Sequence, residues 1–447
     1  MKISRSPSIL KTWKASPLIF WSGIILLILL LTPSRGFSRI FIDINAPSIQ
    51  KIKIAIPDFE NVANDKAYQD LSTSLPEVVS NDLDLSGYFI PIEKEAFLTK
   101  AVPSQDMGKI QFKSWSVIGA ELLLTGRYTC IGQSVELEVR LYDVFWGRQI
   151  MGRRVLGKID HYRYLMHRVG NEIISLLTGH KGMFLTKLAF VGTATGHKEI
   201  YISDYDGHNV KQITNDKSIS LFPRWSPSGD KIIFNSYKDG GAMLYLMDIV
   251  APGRTRRVSS RKGLNIGACW RSDGEQLALT LSRDGNPDIY GIDLKGKIID
   301  RFTNHWAIDV SPSFSPRGDK MAFVSNRSGN PQIYIKDLIK GGEERLTFEG
   351  KYNTSPKWSR LDQITFSGLN DGTFDIFTIN PDGSNLRRLT QDQGKNEDPC
   401  WSPDGRYIMF SSNRSGGYHL YIMNASGQNQ RKITFLKGEQ SSPSWSQ

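Results

Sequence analysis

At 447 residues, 39% hydrophobic and 23% charged, the chain is long enough for two or three globular domains and too apolar to be disordered. Its formal net charge is +11, but five of the positive residues (Lys2, Arg5, Lys11, Lys14 and Arg35) fall in an acid-free leader of 36 residues, leaving +6 spread along the chain. No dense Lys/Arg run exists, which argues against a nucleic-acid footprint, and Cys130, Cys269 and Cys400 make neither a C-x-x-C nor a Cys/His spacing for zinc.

The basic head precedes an apolar run, Leu18 to Leu31, followed by Pro33-Ser34-Arg35-Gly36. That order predicts a secretory signal peptide over 1–36. The alternative is an uncleaved anchor, for which the run is short against the roughly 20 residues a span needs. Either way the bulk of the chain is expected to be exported.

Residues 37–180 mix strand and helix periods, which predicts a small α/β domain. Arg39-Ile40-Phe41-Ile42-Asp43-Ile44 is a short β-prone piece, and Lys51 to Ile56 alternates as a half-buried strand. Ser74 and Glu77 have capping-box spacing, with Leu75, Val78, Val79 and Leu83 on one helical face and Gly87 as the stop. Phe112, Trp115 and Val117-Ile118 suggest a second helix. Leu122-Leu123-Leu124 reads as a buried strand, and Val135, Leu137, Val139 and Leu141 as a strand with one wet face. Leu165, Val169, Ile173 and Leu177 mark a helix ending near Gly179. No phosphate loop or nucleophile elbow is present. His161 and His167, six apart, do not share a helix face at ligand spacing, and Arg127, Arg140, Arg153 and Arg154 read as solvated charges.

From residue 181 onward one phrase recurs. Pro223-Arg224-Trp225-Ser226-Pro227-Ser228-Gly229-Asp230 returns around Trp270, Phe314, Trp358, Trp401 and Trp445, at steps of 45, 44, 44, 43 and 44 residues. After each anchor except the last come three short strand signals: an apolar run such as Ile232-Ile233-Phe234, a run with a central aromatic such as Leu244-Tyr245-Leu246, and a closing Arg-Val-Ser or Arg-Leu-Thr. Such a period predicts blades of a β-propeller. There are six. The first, from Leu188-Ala189-Phe190-Val191, lacks a Trp phrase, and the orphan phrase at Trp445 is expected to supply it and close the ring over 181–447. The anchors are expected to fill the wedges between blades, and Ser-Pro-Asp-Gly to make tight turns. Asp204 and Asp206 read as turn formers, not as calcium ligands, because the rest of an EF-type loop is missing.

The whole exported stretch resembles the TolB family, six-bladed propeller proteins of the Tol–Pal system. The resemblance rests on Val79-Ser80-Asn81-Asp82-Leu83, on Arg140-Leu141-Tyr142-Asp143-Val144, on the junction Leu177-Thr178-Gly179 through Thr186-Lys187-Leu188, and on the ending at Trp445. Gly170-Asn171 and the degenerate turns at Arg271-Ser272-Asp273-Gly274 and Ser359-Arg360-Leu361-Asp362 depart from the family pattern. The resemblance implies a periplasmic, non-catalytic adaptor without cofactor or metal, reaching membranes only through partners and supporting envelope integrity and constriction at division. It implies that the peptidoglycan-associated lipoprotein Pal is bound at the propeller rim. The candidate rim residues lie in loops leading into the anchors: Asn265, Gly267, Ala268, Asp309, Pro312, Asn353, Thr354, Pro356, Glu397, Asp398 and Pro399. It also implies that the mature N-terminal segment, Arg39, Ile40, Phe41, Ile42, Asp43 and Ile44, is offered to the C-terminal domain of TolA as an added strand. A hydrolase is the contrasting class. Glu397 and Asp398 are the nearest thing to an acid pair, but sequence neighbours point to alternate sides and suit glycoside cleavage poorly.

Overall fold

The computed structural model describes Ile42 and residues 50–98, 110–251 and 255–447. The expected signal peptide, and all of the 37–44 segment except Ile42, lie outside these residues.

The N-terminal part is a mixed sheet with helices on both faces. Its strands are β1 (Ile52–Ala55), β2 (Glu60–Asn61), β3 (Phe89–Pro91), β4 (Leu122–Ile131), β5 (Ser134–Asp143) and β6 (Arg148–Lys158), in the order β3-β1-β4-β5-β6 with β2 also on β4. β1 runs parallel to β3 and β4, whereas β4, β5 and β6 are antiparallel. Helices α1 (Leu71–Ser86) and α3 (Tyr162–Thr178) pack on the face that carries Leu122, Leu124, Val135, Leu137, Val139 and Leu141. The short helix α2 (Phe112–Val117) lies on the other face with Leu123 and Tyr142. Period-two alternation places Ile54 and Ala55 of β1 in opposite cores, and likewise sets Leu122 and Leu124 of β4 opposite Leu123.

Helix α1 starts at Leu71, before the expected capping box, so Ser74 does not cap it. Pro76 instead sits inside the helix and cannot donate to the Ser72 carbonyl. The Phe59 N–H takes that carbonyl at 2.9 Å, and the Ser72 hydroxyl donates to the Phe59 carbonyl. A chain crossing thus satisfies the bond the proline breaks. Gly87 and Gly179 end α1 and α3 in the left-handed conformation, as expected. The arginines expected to be simply solvated are in ion pairs, Arg140 with Glu138 of its own strand at 3.8 Å. Arg127 faces Glu138, Arg154 binds Glu136, and Arg153 ties β6 to Glu172 of α3.

Six four-stranded antiparallel sheets follow. Five run in chain order from innermost to outermost strand, beginning at Ser220–Trp225, Asn265–Trp270, Asp309–Phe314, Tyr352–Trp358 and Asn396–Trp401. We call these blades 2 to 6. Blade 1 combines Gln440–Trp445 with Lys187–Gly192, Glu199–Asp204 and Lys211–Gln212. Trp445 pairs with Leu188 and Gln440 with Gly192, so the two ends of the propeller share a sheet, and no blade is left with an open edge at a seam.

Each blade-to-blade junction has its own apolar cluster, and each anchor belongs to the junction with the preceding blade. Trp225, Trp270, Phe314, Trp358 and Trp401 serve the first five junctions. Trp445 serves the sixth, between blades 6 and 1. That sixth cluster is continuous with the core of the N-terminal part, from Leu188, Tyr407 and Met409 through Tyr205 and Phe184 to α1 and α3. The blades also approach closely through their turns. Gly207 (φ 82°) has space for a Cβ only 1.7 Å from the Ile433 carbonyl oxygen. Gly207→Ala is expected to cost about 2–3 kcal/mol, a combination of left-handed strain and a backbone clash, seen as a lower midpoint in thermal unfolding.

Candidate protein-binding faces and the domain junction

Strand order assigns two faces to the propeller. The turns after innermost and third strands fall on one face. The turns after second strands, and the connections from one blade to the next, fall on the other. The N-terminal part covers the first face. Tyr205 and Asp206, after the third strand of blade 1, contact α1 and α3. Tyr407, at the start of the second strand of blade 6, donates to the Ser86 carbonyl at 2.7 Å, and Arg431 pairs with Asp84 at 2.9 Å. The opposite face carries no contact with the N-terminal part among the described residues.

The segments expected to be rim loops are not loops. Asn265, Gly267, Ala268, Asp309, Pro312, Asn353, Thr354, Pro356, Glu397, Asp398 and Pro399 all lie within the innermost strands. The strands ring the channel, each against the next. Asn265, Asp309 and Asn353, the first or second residues of their strands, are buried, as are Ala268, Pro312, Pro356 and Pro399. They serve the fold instead. Asn353 donates to Gln332, which also accepts from Thr347, and Thr347 takes the Ile333 N–H at 2.9 Å. Asp309 accepts from Arg327, and Asn265 from Ser259. The Arg-Leu-Thr phrase supplies these hydroxyls, so the polar start of each innermost strand is a pin on the blade end. Polarity alone could not distinguish a pin from a contact residue.

Between these buried positions every innermost strand carries a bulge. Its central residue is left-handed in all six: Phe222, Gly267, Ser311, Ser355, Asp398 and Ser442, with φ between 51° and 65°. The bulge turns this residue toward the channel. Asp398 there accepts from Ser442 at 2.8 Å and Ser355 at 3.4 Å, and Glu397 accepts from Tyr418. The two carboxylates are bound to different partners and do not face a common point. Thr354, Glu397, Asp398 and Gly267 are the rim candidates that keep partial exposure.

What sequence reading missed on this face is its apolar surface. Trp306, Phe348 and Phe435, on the connections into blades 4, 5 and 1, are 76%, 73% and 74% exposed, and Ile308, Ile219 and Tyr352 are exposed nearby on the same face. Arg345 stacks on Phe348 and Lys432 lies over Phe435. Bulky side chains held out by cation–π contacts suit a partner surface. Phe348 and Phe435 stand at equivalent places, each just after the closing Thr of its blade, whereas Trp306 does not; the repeat marks neither place as exposed.

The domain junction was also missed. Asp82 of α1 is 1% exposed and accepts from His167 Nδ1 of α3 at 2.9 Å and from the Tyr205 hydroxyl. His167 Nε2 faces Asp206 at 3.5 Å, and Asp206 pairs with Arg163. Burial pushes the Asp82 carboxyl up, against the pull of His167. Asp206 is held below the usual carboxylate range. Its partial burial would raise it, but the hydrogen bond from His208 and the charges of His167 and Arg163 win. His167, Asp204 and Asp206 converge closely enough to resemble a metal-binding group. However, Lys187 already neutralises Asp204 and Arg163 neutralises Asp206, so the donors fit ion pairs better than a cation. Residue spacing could not reveal this cluster because its members are 85 and 123 positions apart from Asp82.

Fold and junction together define an α/β-domain-plus-six-bladed-propeller protein with one propeller face occupied internally and the other uncovered among the described residues. A family model for the TolB beta propeller domain matches residues 174–447, and one for the TolB amino-terminal domain matches 40–150. The chain belongs to the TolB family. It is 39% identical over 290 residues to a Tol-Pal system protein TolB of Desulfosudis oleivorans, covering 64% of this chain and 65% of that one. It is also 39% identical over 246 residues to a TolB homolog of Chlorobium chlorochromatii, 55% of each. These alignments span less than two thirds of the curated relatives. The crystal structure of TolB from Acinetobacter baumannii superposes with a TM-score of 0.77 at 27% identity, covering 91% of this chain and all (100%) of that one.

Proposed function

We propose that the chain is a non-catalytic adaptor of the Tol–Pal envelope system, exported to the periplasm after removal of residues 1–36, and active in outer-membrane integrity and constriction at division. The observation that carries this reading is the family match over both parts of the chain. Pal is its partner on the free propeller face, around the channel mouth. Trp306, Phe348 and Phe435 would supply apolar contact there, and Thr354, Glu397 and Asp398 polar contact. Aromatic side chains in a polar surround are the composition of interface hot spots.

The C-terminal domain of TolA is the proposed partner of residues 37–44. Ile42 is buried against the N-terminal core, and its N–H donates to the Leu177 carbonyl at the end of α3 at 2.7 Å. Ile42 thus has a docked position from which TolA would have to draw it, an order–disorder exchange. The docked carbonyl lies in the helix that also holds His167, which supports a link between the N-terminus and the domain junction.

Pull-down with purified Pal tests the first assignment. The double variant Trp306→Ala/Phe348→Ala is expected to weaken binding at least tenfold, with truncation of one hot-spot aromatic costing about 2 kcal/mol. Glu397→Lys/Asp398→Lys is expected to weaken it as well. Undiminished binding in both would remove this face from the interface. Deletion of residues 37–44 should abolish capture by the TolA domain and leave Pal capture intact.

A further inference from the structure

The channel holds a feature that adaptor function does not use. The penultimate residue of each innermost strand, one before the anchor, faces the channel lumen. Around the ring these are Ser444, Arg224, Cys269, Ser313, Lys357 and Cys400 in blades 1 to 6. Four are small and neutral. The two cations sit in blades 2 and 5, which are three blades apart in either direction and therefore opposite each other. Both line one funnel of about 470 Å³ at the end of the channel beside the N-terminal part, together with Trp225, Trp270, Trp358 and Arg360.

Neither cation has a counter-ion. Among the described residues no carboxylate lies within ion-pair distance of Arg224 or Lys357. Arg224 reaches only main-chain oxygens, those of Pro223 at 2.8 Å and Pro443 at 3.4 Å. Asp398, the nearest acid, is committed to Ser442 and Ser355. The thiols cannot substitute for it, because burial pushes Cys269 up to about 11 and Cys400 up to about 12, leaving both neutral. A further buried donor, on a residue of the funnel wall, is unmatched. Trp270 and Trp401 donate their indole N–H to main-chain carbonyls, Trp358 to Asp362 and Trp445 to Thr186. The Trp225 indole N–H is buried and has no acceptor. Two facing like charges and an orphan donor in a half-enclosed space are costly unless something negative and rich in acceptors joins them.

We propose that this funnel is a binding site for a small oxyanion, a phosphate or a carboxylate group, held between Arg224 and Lys357. Arg offers a planar fork to two oxygens and Lys a point charge, the usual pair for such groups. The volume admits an anion of metabolite size. The site lies on the propeller face that the N-terminal part covers, so occupancy would be sensed at the junction side of the ring, away from the free face.

The same geometry sets a pH dependence. Burial, and next the charge of Arg224, lower Lys357 to about 7, with Asp398 and the thiols opposing only weakly. Below that value Lys357 is charged and attracts the anion; above it the charge is lost. Calorimetric titration of the full chain with inorganic phosphate and, separately, with succinate checks this against chloride at matched ionic strength. Wild type is expected to bind at about pH 6 and about tenfold or more weakly at about pH 8.5. Lys357→Arg keeps its charge and should bind succinate about equally at both, and phosphate, itself more charged at the higher pH, no more weakly there. Lys357→Met should bind neither probe at either pH, while remaining folded by circular dichroism. A response to phosphate alone would identify a phosphoryl site, and one to succinate alone a carboxylate site. Absence of binding by wild type at about pH 6 in millimolar probe, or equal binding by Lys357→Met, would overturn the proposal. If Lys357→Met failed to fold, a pH profile of Lys357→Arg as steep as that of wild type would overturn it equally.

Discussion

Deletion of Ser441 to Gln447 is expected to leave no folded propeller. The loss removes most of the innermost strand of blade 1, and with it the ladder from Ser441–Val191 to Trp445–Leu188. It also removes Trp445, 7% exposed, from the one cluster shared by blade 6, blade 1 and the N-terminal part. Burial of an aromatic of this size contributes about 3–5 kcal/mol by itself when truncated, and an entire edge of Lys187–Gly192 would be opened to other chains. The combined cost approaches or exceeds the 5–15 kcal/mol that holds a typical domain together. The expected result is insoluble protein, or soluble protein without cooperative unfolding in calorimetry. A truncated chain with an unchanged midpoint would show that the ring does not depend on closure by its C-terminal strand. Trp445→Phe separates the two contributions. It retains the strand and loses the indole bond to Thr186 at 2.7 Å and part of the buried ring volume, so it should fold with a midpoint lowered by a few degrees.

Asp82→Ala is expected to uncouple the two parts of the molecule. Asp82 is the common acceptor for α3, through His167, and for blade 1, through Tyr205. Removing it leaves two buried donors without a partner, and breaking a buried pair of this kind costs about 3–5 kcal/mol. The damage falls on the junction, whereas the blade-to-blade clusters do not contain Asp82. Calorimetry should therefore resolve two transitions in the variant, with the N-terminal part melting first, and a single one in wild type. Asp82→Asn keeps one acceptor and should give a smaller separation. Tyr205→Phe removes only the hydroxyl donor and is expected to cost about 1 kcal/mol. If Asp82→Ala melted in one transition at the wild-type temperature, the Asp82–His167–Tyr205 contacts would be incidental to docking. Because Ile42 hangs on the Leu177 carbonyl of the same helix α3, the variant also offers a readout of communication with the N-terminal segment. Faster proteolysis near residue 42 in Asp82→Ala than in wild type is the expected sign.

The repeat carried the fold in plain sight. Trp anchors at a period of about 44 residues, Gly after a short polar turn and three strand signals per unit specify a blade because each unit repeats one local solution to one packing problem. Alternation in Val135 to Leu141 and the helical face of Leu75, Val78, Val79 and Leu83 are local in the same sense, and both lie where expected. Even ring closure could be read from chain order, since the first blade lacked the phrase that the last residues possess.

Binding residues were less legible. Asn265, Asp309 and Asn353 look like surface polar residues by composition. Only their paired neighbours, Ser259 and Gln332 from the preceding blade and Arg327 from a turn of the same blade, make them internal pins. Trp306 and Phe348 look like core residues by composition, and only the path of the connections leaves them exposed. Arg224 and Lys357 occupy a position filled elsewhere by Ser or Cys. Their sequence separation conceals that the ring places them opposite one another.

The sequence by itself therefore determined the number of blades, the place of the anchors, the strand periods and the family, because these follow from short-range patterns that recur or alternate. The tertiary structure alone decided which polar side chains are buried, which face the N-terminal part covers, how Asp82, His167 and Tyr205 meet, and that two cations share a channel. Those properties depend on contacts between residues tens to hundreds of positions apart. Burial and charge environment are set by what the fold brings near, and no local pattern encodes them.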